Sequence, residues 1–272
     1  MSRFAIGFRL TDLDQLLNTW PNREQLLGGL FWLSDGLYWL ELEGETVPQA
    51  HPDWVSLYPE YEHPPGIEYL VLRFFADIGE ALGRWLDPLP PELADAVRRG
   101  SWTPWLAALH AFLERLPEER SPESPDFWQA GQVAERWWRE RRLDTDYLRA
   151  APESTIVLLG AEHLELTWDT RQQRIDGVLV MVQSHGKFSL LRHEFVGAIA
   201  EFHRQLVAAL MERIQDVHAR GLVDVQRAAK LRLQLETWLS DFDAGLNRTP
   251  DEDWPEILDA IRTLEALIGP LF

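Results

Sequence analysis

Cysteine is absent from the 272-residue sequence, and its absence excludes several kinds of chemistry at once. Without a thiol the chain has no disulfide, no thiolate metal site, no iron–sulfur cluster and no cysteine nucleophile. Long apolar runs are absent too, since no stretch approaches the roughly 18 residues typical of a transmembrane helix. The first ten residues, interrupted by Arg9, lack the apolar region of a secretory signal. We therefore expect a cytoplasmic protein with no membrane partner.

The common catalytic motifs are missing as well. The Gly-Lys pair at 186–187 is followed by phenylalanine, where a phosphate-binding loop needs a hydroxyl residue. No serine lies between two glycines at the spacing of a nucleophile elbow. A His-Glu pair at 193–194 begins the helical motif of zinc proteases, but Gly197 stands where the second histidine ligand belongs. We expect no cofactor, and we favour a function other than catalysis.

Acidic residues outnumber basic residues by 44 to 26, which gives a formal net charge of −18 at pH 7. A field of this sign repels phosphate backbones and anionic lipids, so we expect no nucleic-acid partner. The segment 135–142 mixes tryptophan with arginine, as some surfaces that bind single-stranded nucleic acid do. Its glutamates and its helical spacing instead indicate an amphipathic helix with a solvated arginine face. A basic protein is the partner that the overall charge favours.

The first β segment is predicted from alternation and from one turn signal. Residues 4–10 place apolar side chains at every second position, which is typical of a half-buried strand. Residues 29–45 are interpreted as a hairpin that turns at Asp35-Gly36, because this pair readily adopts the positive φ angles of a type I′ turn. The register brings a tryptophan of the first hairpin strand opposite Trp39.

One face of the second hairpin strand passes from tryptophan into a row of carboxylates. Residues 46–66 contain six prolines and glycines, so we predict a long irregular loop that adds further acids beside that row. Acidic surfaces attract basic partners through electrostatic complementarity. The predicted partner-binding residues are Trp39, Glu41, Glu43, Glu45, Glu60 and Glu62.

Helical periodicity fills most of the remaining chain. Four amphipathic helices are predicted between residues 67 and 142, and three more follow residue 190. Between these groups, short apolar strands and turns, including a turn at His185-Gly186, predict a β meander. Segregated strands and helices indicate an α+β fold, with antiparallel hairpin and meander segments flanked by two groups of amphipathic helices.

The domain organisation is less constrained than the fold class. We favour a single domain over residues 1–272 with both β segments in one sheet, because no charged linker separates two halves. The alternative is a division into residues 1–145 and 146–272. The sequence does not define the oligomeric state.

Two groupings of histidine and carboxylate are further candidates for a site. His163, Glu165 and Asp169 lie on or beside a predicted strand, with the first two on one face. Such groups act as acids and bases, or hold a small ligand, where a cleft perturbs their pKa values. The second grouping lies in the long loop and has ligand types that suit a divalent ion, but its spacing matches no known site, so we expect no metal. Its members include His51, Asp53 and His63.

Four segments spread over the chain carry a family resemblance. They are Phe-Trp-Leu-Ser-Asp-Gly-Leu-Tyr-Trp-Leu at 31–40, Leu-Asp-Thr-Asp-Tyr-Leu-Arg-Ala-Ala-Pro at 143–152, Leu-Thr-Trp-Asp at 166–169 and Lys-Phe-Ser-Leu at 187–190. Together they resemble an uncharacterised bacterial family, a domain of unknown function found chiefly in actinobacteria. The resemblance implies a cytoplasmic bacterial protein matched over most of its length, and it supplies no catalytic residue.

Strong acidity without a catalytic motif leads to our first functional hypothesis. The chain is expected to be a cytoplasmic protein-binding protein, of the type of an immunity protein that neutralises a basic toxin. The alternative is an enzyme or small-ligand binder that uses a carboxylate and histidine site between the two β segments. A purely structural subunit is a third alternative.

Overall fold

A computed structural model describes residues 3–57, 66–115, 127–143, 152–171, 173–182, 184–246 and 252–272 of the chain. It confirms the α+β class, with antiparallel sheets surrounded by helices. The described strands are β1 (Phe4–Leu10), β2 (Asp35–Leu42), β3 (Glu45–Val47), β4 (Ile67–Leu70), β5 (Glu153–Leu159), β6 (His163–Asp169), β7 (Arg174–Ile175), β8 (Val178–Leu179) and β9 (His185–Leu191). The described helices are α1 (Leu13–Thr19), α2 (Arg23–Gly28), α3 (Leu30–Leu33), α4 (Pro52–Leu57), α5 (Val71–Trp85), α6 (Pro91–Arg98), α7 (Trp102–Leu113), α8 (Phe127–Arg139), α9 (Arg192–Ala219), α10 (Val225–Leu246) and α11 (Trp254–Ile268).

The first sheet is centred on β2, which pairs with β1 along one side and with β3 and β4 along the other. Alternation gives β2 two different faces. Tyr38, Leu40 and Leu42 point into the apolar core, where the Tyr38 ring stacks on Phe74 of α5 at 3.8 Å between centroids. The opposite face carries the half-buried side chains of β2, and it is this face that borders the cleft described below.

The predicted first strand of the hairpin is wrong, because residues 30–33 form the short helix α3. Leu30 and Leu33 are fully buried, and helical spacing places both on the side that faces the core. Trp32 packs against Trp20, with 5.5 Å between ring centroids. Tertiary packing of three apolar side chains in one helical turn therefore overrides the β pattern.

The predicted turn at Asp35-Gly36 is wrong as well, since both residues lie in β2. A Cβ atom on Gly36 would lie 2.2 Å from the carbonyl oxygen of Arg9, so glycine permits close approach of β1 rather than a turn. The hairpin instead turns at Glu43-Gly44, whose φ angles are 51° and 93°. Positive φ at both central residues is what a two-residue hairpin turn requires.

The second sheet has the order β5-β6-β9 and is separate from the first among the described residues, so the expectation of one shared sheet is wrong. Its β5 strand is covered on both faces. Ile156 and Leu158 belong to the larger apolar cluster, whereas Val157 and Leu159 belong to the cluster formed with α6, α7, α8 and α11. Burial of both faces explains why residues 156–159 of this strand are a continuous run of apolar residues rather than an alternation.

The predicted turn at His185-Gly186 is also wrong, because both residues lie in β9. Gly186 pairs with Trp168 of β6, and a Cβ atom there would lie 2.4 Å from the indole ring. The same arrangement occurs in the first sheet, where Gly7 pairs with Trp39 and leaves space for its ring. In both sheets a glycine accommodates a tryptophan on the neighbouring strand.

The predicted helices after residue 67 are confirmed in number and approximate position among the described residues. The stripe Phe195, Ile199, Phe202, Leu206, Leu210 and Val217 is buried along α9. The segment 46–66 is more regular than predicted, since it contains part of β3 and the helix α4. The larger apolar cluster includes residues from both sides of position 145, and the single-domain organisation stays a prediction.

Arg141 corrects the prediction of a solvated arginine face in the segment 135–142. Its side chain is 0% exposed, just beyond the end of α8. The guanidinium forms two hydrogen bonds to the carboxylate of Glu252, whose side chain is 2% exposed, and lies over the ring of Trp254 at 5.3 Å. It also donates to the carbonyl oxygen of Trp137 at 3.2 Å. The protein itself supplies the partners that a buried charge requires.

Within the part of the chain that the structure describes, no helix combines the length and the apolar character needed to cross a bilayer.

Candidate functional site

A cleft of about 1020 Å³ lies between the first sheet and the second β segment. Its floor is the outward face of the first sheet, where Leu37 of β2 lies between Arg9 of β1 and Glu68 of β4. One wall is the segment from Thr11 to Trp20, which includes α1. The facing wall comes from residues 48–50, from Trp54 and from residues 180–181.

The second wall is tied together by short β-type contacts. The amide of His51 donates to the carbonyl of Val180 at 2.9 Å, and the amide of Val182 donates to the carbonyl of Gln49 at 2.9 Å. Val180 and Met181 are buried and form a small apolar cluster with Trp54. Residues far apart in sequence thus form one continuous side of the cleft.

Thr11 brings an acidic and a basic side chain together at the deep end of the cleft. Its hydroxyl donates to Oδ2 of Asp35 at 2.7 Å, and its carbonyl oxygen accepts from Nη2 of Arg213 at 2.6 Å. Arg213 projects from α9, between the buried residues Leu210 and Ile214 of that helix. The cleft is therefore lined by side chains of both charge signs that are held by the same threonine.

Burial controls the electrostatics of this pair. It raises the pKa of the Asp35 carboxyl above its ordinary value, although the hydrogen bond from Thr11 and the charge of Arg213 oppose the rise. Burial also lowers the pKa of the Arg213 guanidinium, while the charges of Asp12, Asp216 and Asp35 oppose that fall. Arginine nevertheless stays charged at neutral pH because its ordinary pKa is so high.

Arg213 is held by backbone groups rather than by an ion pair. Its hydrogen bonds go to the carbonyl oxygens of Thr11 and, at 3.5 Å, Leu33. Across the described residues no carboxylate lies within ion-pair distance of it. A guanidinium has five N–H donors, so several of them are left for a group that enters the cleft.

Trp39 and Glu41 lie on the same face of β2 as the cleft, nearer the hairpin tip, whereas Glu43 is in the turn and Glu45 pairs with Leu42 from β3. Glu41, Glu43 and Glu45 are all exposed. The Trp39 indole donates to Oε1 of Glu41 at 3.1 Å, and Glu43 forms an ion pair with Arg3 at 2.7 Å. Two of the three carboxylates are therefore already engaged within the chain. The predicted residues Glu60 and Glu62 lie outside the described residues.

The predicted histidine and carboxylate group is not brought together. His163 and Asp169 occupy opposite ends of β6, about 20 Å apart at the rise of a strand. Glu165 is buried between them and forms an ion pair with Lys187 at 2.7 Å. Asp169 pairs with Arg171 at 2.6 Å, and this hydrogen bonding lowers the pKa of the Asp169 carboxyl.

The candidate metal ligands of the loop have another role where they are described. Nδ1 of His51 accepts the amide of Asp53 at 3.1 Å, so the histidine caps the first turn of α4. His63 lies outside the described residues. Across the part of the chain that is described, no three His, Cys, Asp or Glu side chains converge as metal ligands would.

Comparison with family models identifies the chain. A model described as a family of unknown function, DUF5984, matches residues 5–260. The chain belongs to the DUF5984 family. No curated protein and no solved structure matches it.

Sequence reasoning missed the site that this DUF5984 protein contains. Asp35 lies on the same strand face as the predicted residues Trp39 and Glu41, because side chains two positions apart share a face. Correct assignment of β2 would therefore have pointed to Asp35. No comparable signal exists for Arg213, which is 202 positions from Thr11 and is one of 24 arginines in the sequence.

Proposed function

We propose that this DUF5984 protein binds a small polar organic molecule in the cleft between the first sheet and the second β segment. The observation that carries the proposal is Arg213, a half-buried guanidinium beside Asp35 that has no carboxylate within ion-pair distance among the described residues. A concave site with apolar walls and a few converging polar groups is the usual form of a small-molecule site.

Burial of the Arg213 guanidinium carries a free-energy cost. Removing a charge from water is unfavourable unless hydrogen bonds and an opposite charge compensate it. Arg141 receives such compensation from Glu252, whereas the donors of Arg213 meet only two backbone carbonyls. A bound ligand would supply the missing acceptors, and its binding would then stabilise the folded chain.

A cleft-filling variant tests this proposal directly. We would measure the thermal stability of the protein with amino acids, dicarboxylates, nucleosides and polyamines, each added separately. Leu37→Trp places a larger side chain on the cleft floor, and Leu233→Trp is the matched control because Leu233 is 62% exposed on α10. We expect at least one class to raise the Tm of the native protein and of the control, but not of Leu37→Trp. No response to any class, or an equal response in Leu37→Trp, would overturn the proposal.

A second candidate function is the binding of a basic protein, of the immunity type, in a bacterial cytoplasm. It is favoured by the net charge of −18 and by the exposed Glu41 and Glu45 on the hairpin of β2 and β3. It takes second place because Trp39 and Arg3 already engage two carboxylates of that surface. The family resemblance implies an actinobacterial source. In this second candidate function, the toxin and the protein that neutralises it would be made by the same bacterium.

Capture at low salt tests the second candidate. The tagged protein would be isolated from its own bacterium and the bound proteins identified by mass spectrometry. A stoichiometric basic protein that is released as salt rises is the expected result. Association with that protein should slow when Glu41, Glu43 and Glu45 are all replaced by lysine. Unchanged association kinetics at low salt would exclude this surface as the binding site.

A further inference from the structure

Two side chains of opposite charge line the cleft beside Thr11. Asp35 and Arg213 each bond to Thr11, one through the hydroxyl at 2.7 Å and the other through the carbonyl at 2.6 Å. In an α-amino acid the ammonium nitrogen lies about 3 Å from the carboxylate oxygens, as ordinary bond lengths dictate. Because both bonds end on one residue, the carboxylate and the guanidinium border the same part of the cleft.

The unused atoms of the two side chains have complementary chemistry. Oδ1 of Asp35 accepts from none of the described residues, so it is open to a donor on the ligand. Arg213 retains donors beyond the two that meet the carbonyls of Thr11 and Leu33. The planar guanidinium binds carboxylates with directional, paired hydrogen bonds. A cationic donor suits Asp35, and a carboxylate suits Arg213.

Side chains of both charge signs surround the pair. Asp12 and Asp216 add negative charge near Arg213, and Arg9 and Glu68 form part of the cleft floor. One oxygen of the Asp12 carboxylate, Oδ1, accepts the amides of the first turn of α1 at 2.8 and 3.2 Å. A purely anionic ligand would be repelled by these carboxylates, and a purely cationic one by the guanidinium.

The rest of the cleft is apolar enough to receive a hydrocarbon group. Trp20 follows α1 on one wall, and Trp54 and Met181 come from the facing wall. Leu37 and Ile67 lie between them along the sheet. Aromatic side chains contribute large apolar contact areas to such sites.

We infer that the ligand is a small zwitterion with an apolar side chain, such as an apolar α-amino acid, whose carboxylate binds Arg213 and whose ammonium binds Asp35. This inference rests on the proposed ligand-binding function and adds the chemical class of the ligand. It assigns a separate role to each charged residue, so each is tested by a different probe.

The test is calorimetric titration with three probes that share one phenyl ring. L-phenylalanine carries both charges, 3-phenylpropanoate lacks the ammonium, and 2-phenylethylamine lacks the carboxylate. We expect L-phenylalanine to bind at least about tenfold more tightly than either analogue, since each lost ion pair costs at least one decade of affinity. Asp259→Asn, at an exposed position on α11, serves as the control variant.

Variants assign the two charges. Arg213→Gln should weaken L-phenylalanine binding at least about tenfold and should not weaken the binding of 2-phenylethylamine, which is freed from the repulsion of the guanidinium. Asp35→Asn should weaken L-phenylalanine binding similarly and should not weaken the binding of 3-phenylpropanoate, which is freed from the repulsion of the Asp35 carboxylate. Circular dichroism and unfolding curves establish that both variants are folded, so that a loss of binding is not a loss of structure.

The outcomes separate this inference from the proposed function. If 3-phenylpropanoate or 2-phenylethylamine binds as tightly as L-phenylalanine, the cleft binds a ligand but the zwitterion inference is wrong. If none of the three probes binds while another class raises the Tm in a Leu37-dependent way, the inference is again wrong and the proposed function stands. If no class has that effect either, both fail.

Discussion

Arg141 and Arg213 are two arginines in different parts of the chain whose side chains are both largely removed from solvent. They differ in the groups to which they bond. Arg141, in the core beneath α8 and α11, is 0% exposed and forms a bidentate ion pair with Glu252. Arg213, at the cleft, is half-buried and bonds only to backbone carbonyls. The first arginine is satisfied by the protein, and the second retains hydrogen-bonding capacity.

Comparison of Arg141 with Arg213 shows how a charge that stabilises the fold differs from a charge that is available to a ligand. A buried ion pair that is fully hydrogen-bonded has no donors or acceptors left for a ligand. Removing one partner destabilises the protein, because the other charge then stays buried without compensation. A charge that lines a cleft without its counter-charge lowers stability, which is common for residues kept for binding. Four predictions test this distinction, and they are given in order of decreasing effect.

Breaking the structural pair should have the largest effect. Glu252→Gln leaves the buried charge of Arg141 without its carboxylate, so the free energy of unfolding should fall by about 3 kcal/mol or more. Denaturant unfolding with an unchanged m-value measures this loss. Glu256→Gln is the control, since Glu256 lies 3.7 Å from Arg136 at the surface and should change stability little. Equal effects of the two substitutions would contradict the structural role of Glu252.

Replacing each arginine by lysine compares the two sites directly. Lysine keeps the charge but cannot make the paired hydrogen bonds of a guanidinium. Arg141→Lys should therefore lower the free energy of unfolding by about 2 kcal/mol, the scale of hydrogen bonds to charged groups. Arg213→Lys should lower it by less than about 1 kcal/mol, because the cleft gives the ammonium access to water. Similar losses in chemical denaturation would show that the two sites are not distinct.

Removing the Asp35 charge should stabilise the protein. Because burial raises the folded-state pKa of Asp35, the folded chain binds more protons than the unfolded chain between pH 3.8 and that raised value. Stability contributed by this residue therefore falls as pH rises through the window. Asp35→Asn should raise the Tm at pH 7 by a few degrees.

The same linkage gives the control for that prediction. The native protein and Asp35→Asn should become equally stable as the pH falls below 3.8, the ordinary aspartate pKa, because the carboxyl is then protonated in both the folded and the unfolded chain. Thermal unfolding from pH 7 to below that value measures the convergence. A variant that is less stable than the native protein at pH 7 would refute the prediction.

Arg220 should show the smallest effect. It pairs with Asp14 at 2.7 Å and with Asp216 at 2.8 Å, but its side chain is 39% exposed. Arg220→Gln should lower the Tm less than any change at Arg141, and the difference should shrink at about 0.5 M salt, because salt screens exposed pairs. If Arg220→Gln lowers the Tm as much as Arg141→Lys does, and independently of salt, then burial is not what makes an ion pair contribute strongly to stability.

The helices were predictable because their signal is local. The stripe from Phe195 to Val217 repeats every three or four residues, and a 28-residue helix buries it against the first sheet. Two turns, one in the hairpin and one in the meander, were mispredicted because Asp35-Gly36 and His185-Gly186 have the composition of turns. Their glycines instead allow a neighbouring backbone or an indole ring to approach, a requirement that depends on the partner strand.

The candidate site shows the same limit. Two of the six predicted partner-binding residues, Trp39 and Glu41, share a strand face with Asp35, so alternation contained part of the information once β2 was assigned correctly. The grouping of His163, Glu165 and Asp169 failed to converge because residues along one strand are separated by its extended rise.

The sequence by itself determined the α+β class, the periodic helices, the absence of thiol chemistry and the net charge, because composition and short-range periodicity are properties of adjacent residues. Only the tertiary structure decided which arginine is paired and which faces a cleft. Arg141 meets Glu252 across 111 positions, and Arg213 meets Thr11 across 202. Such contacts arise when separate elements pack together, and the burial that packing imposes gives each charge its role.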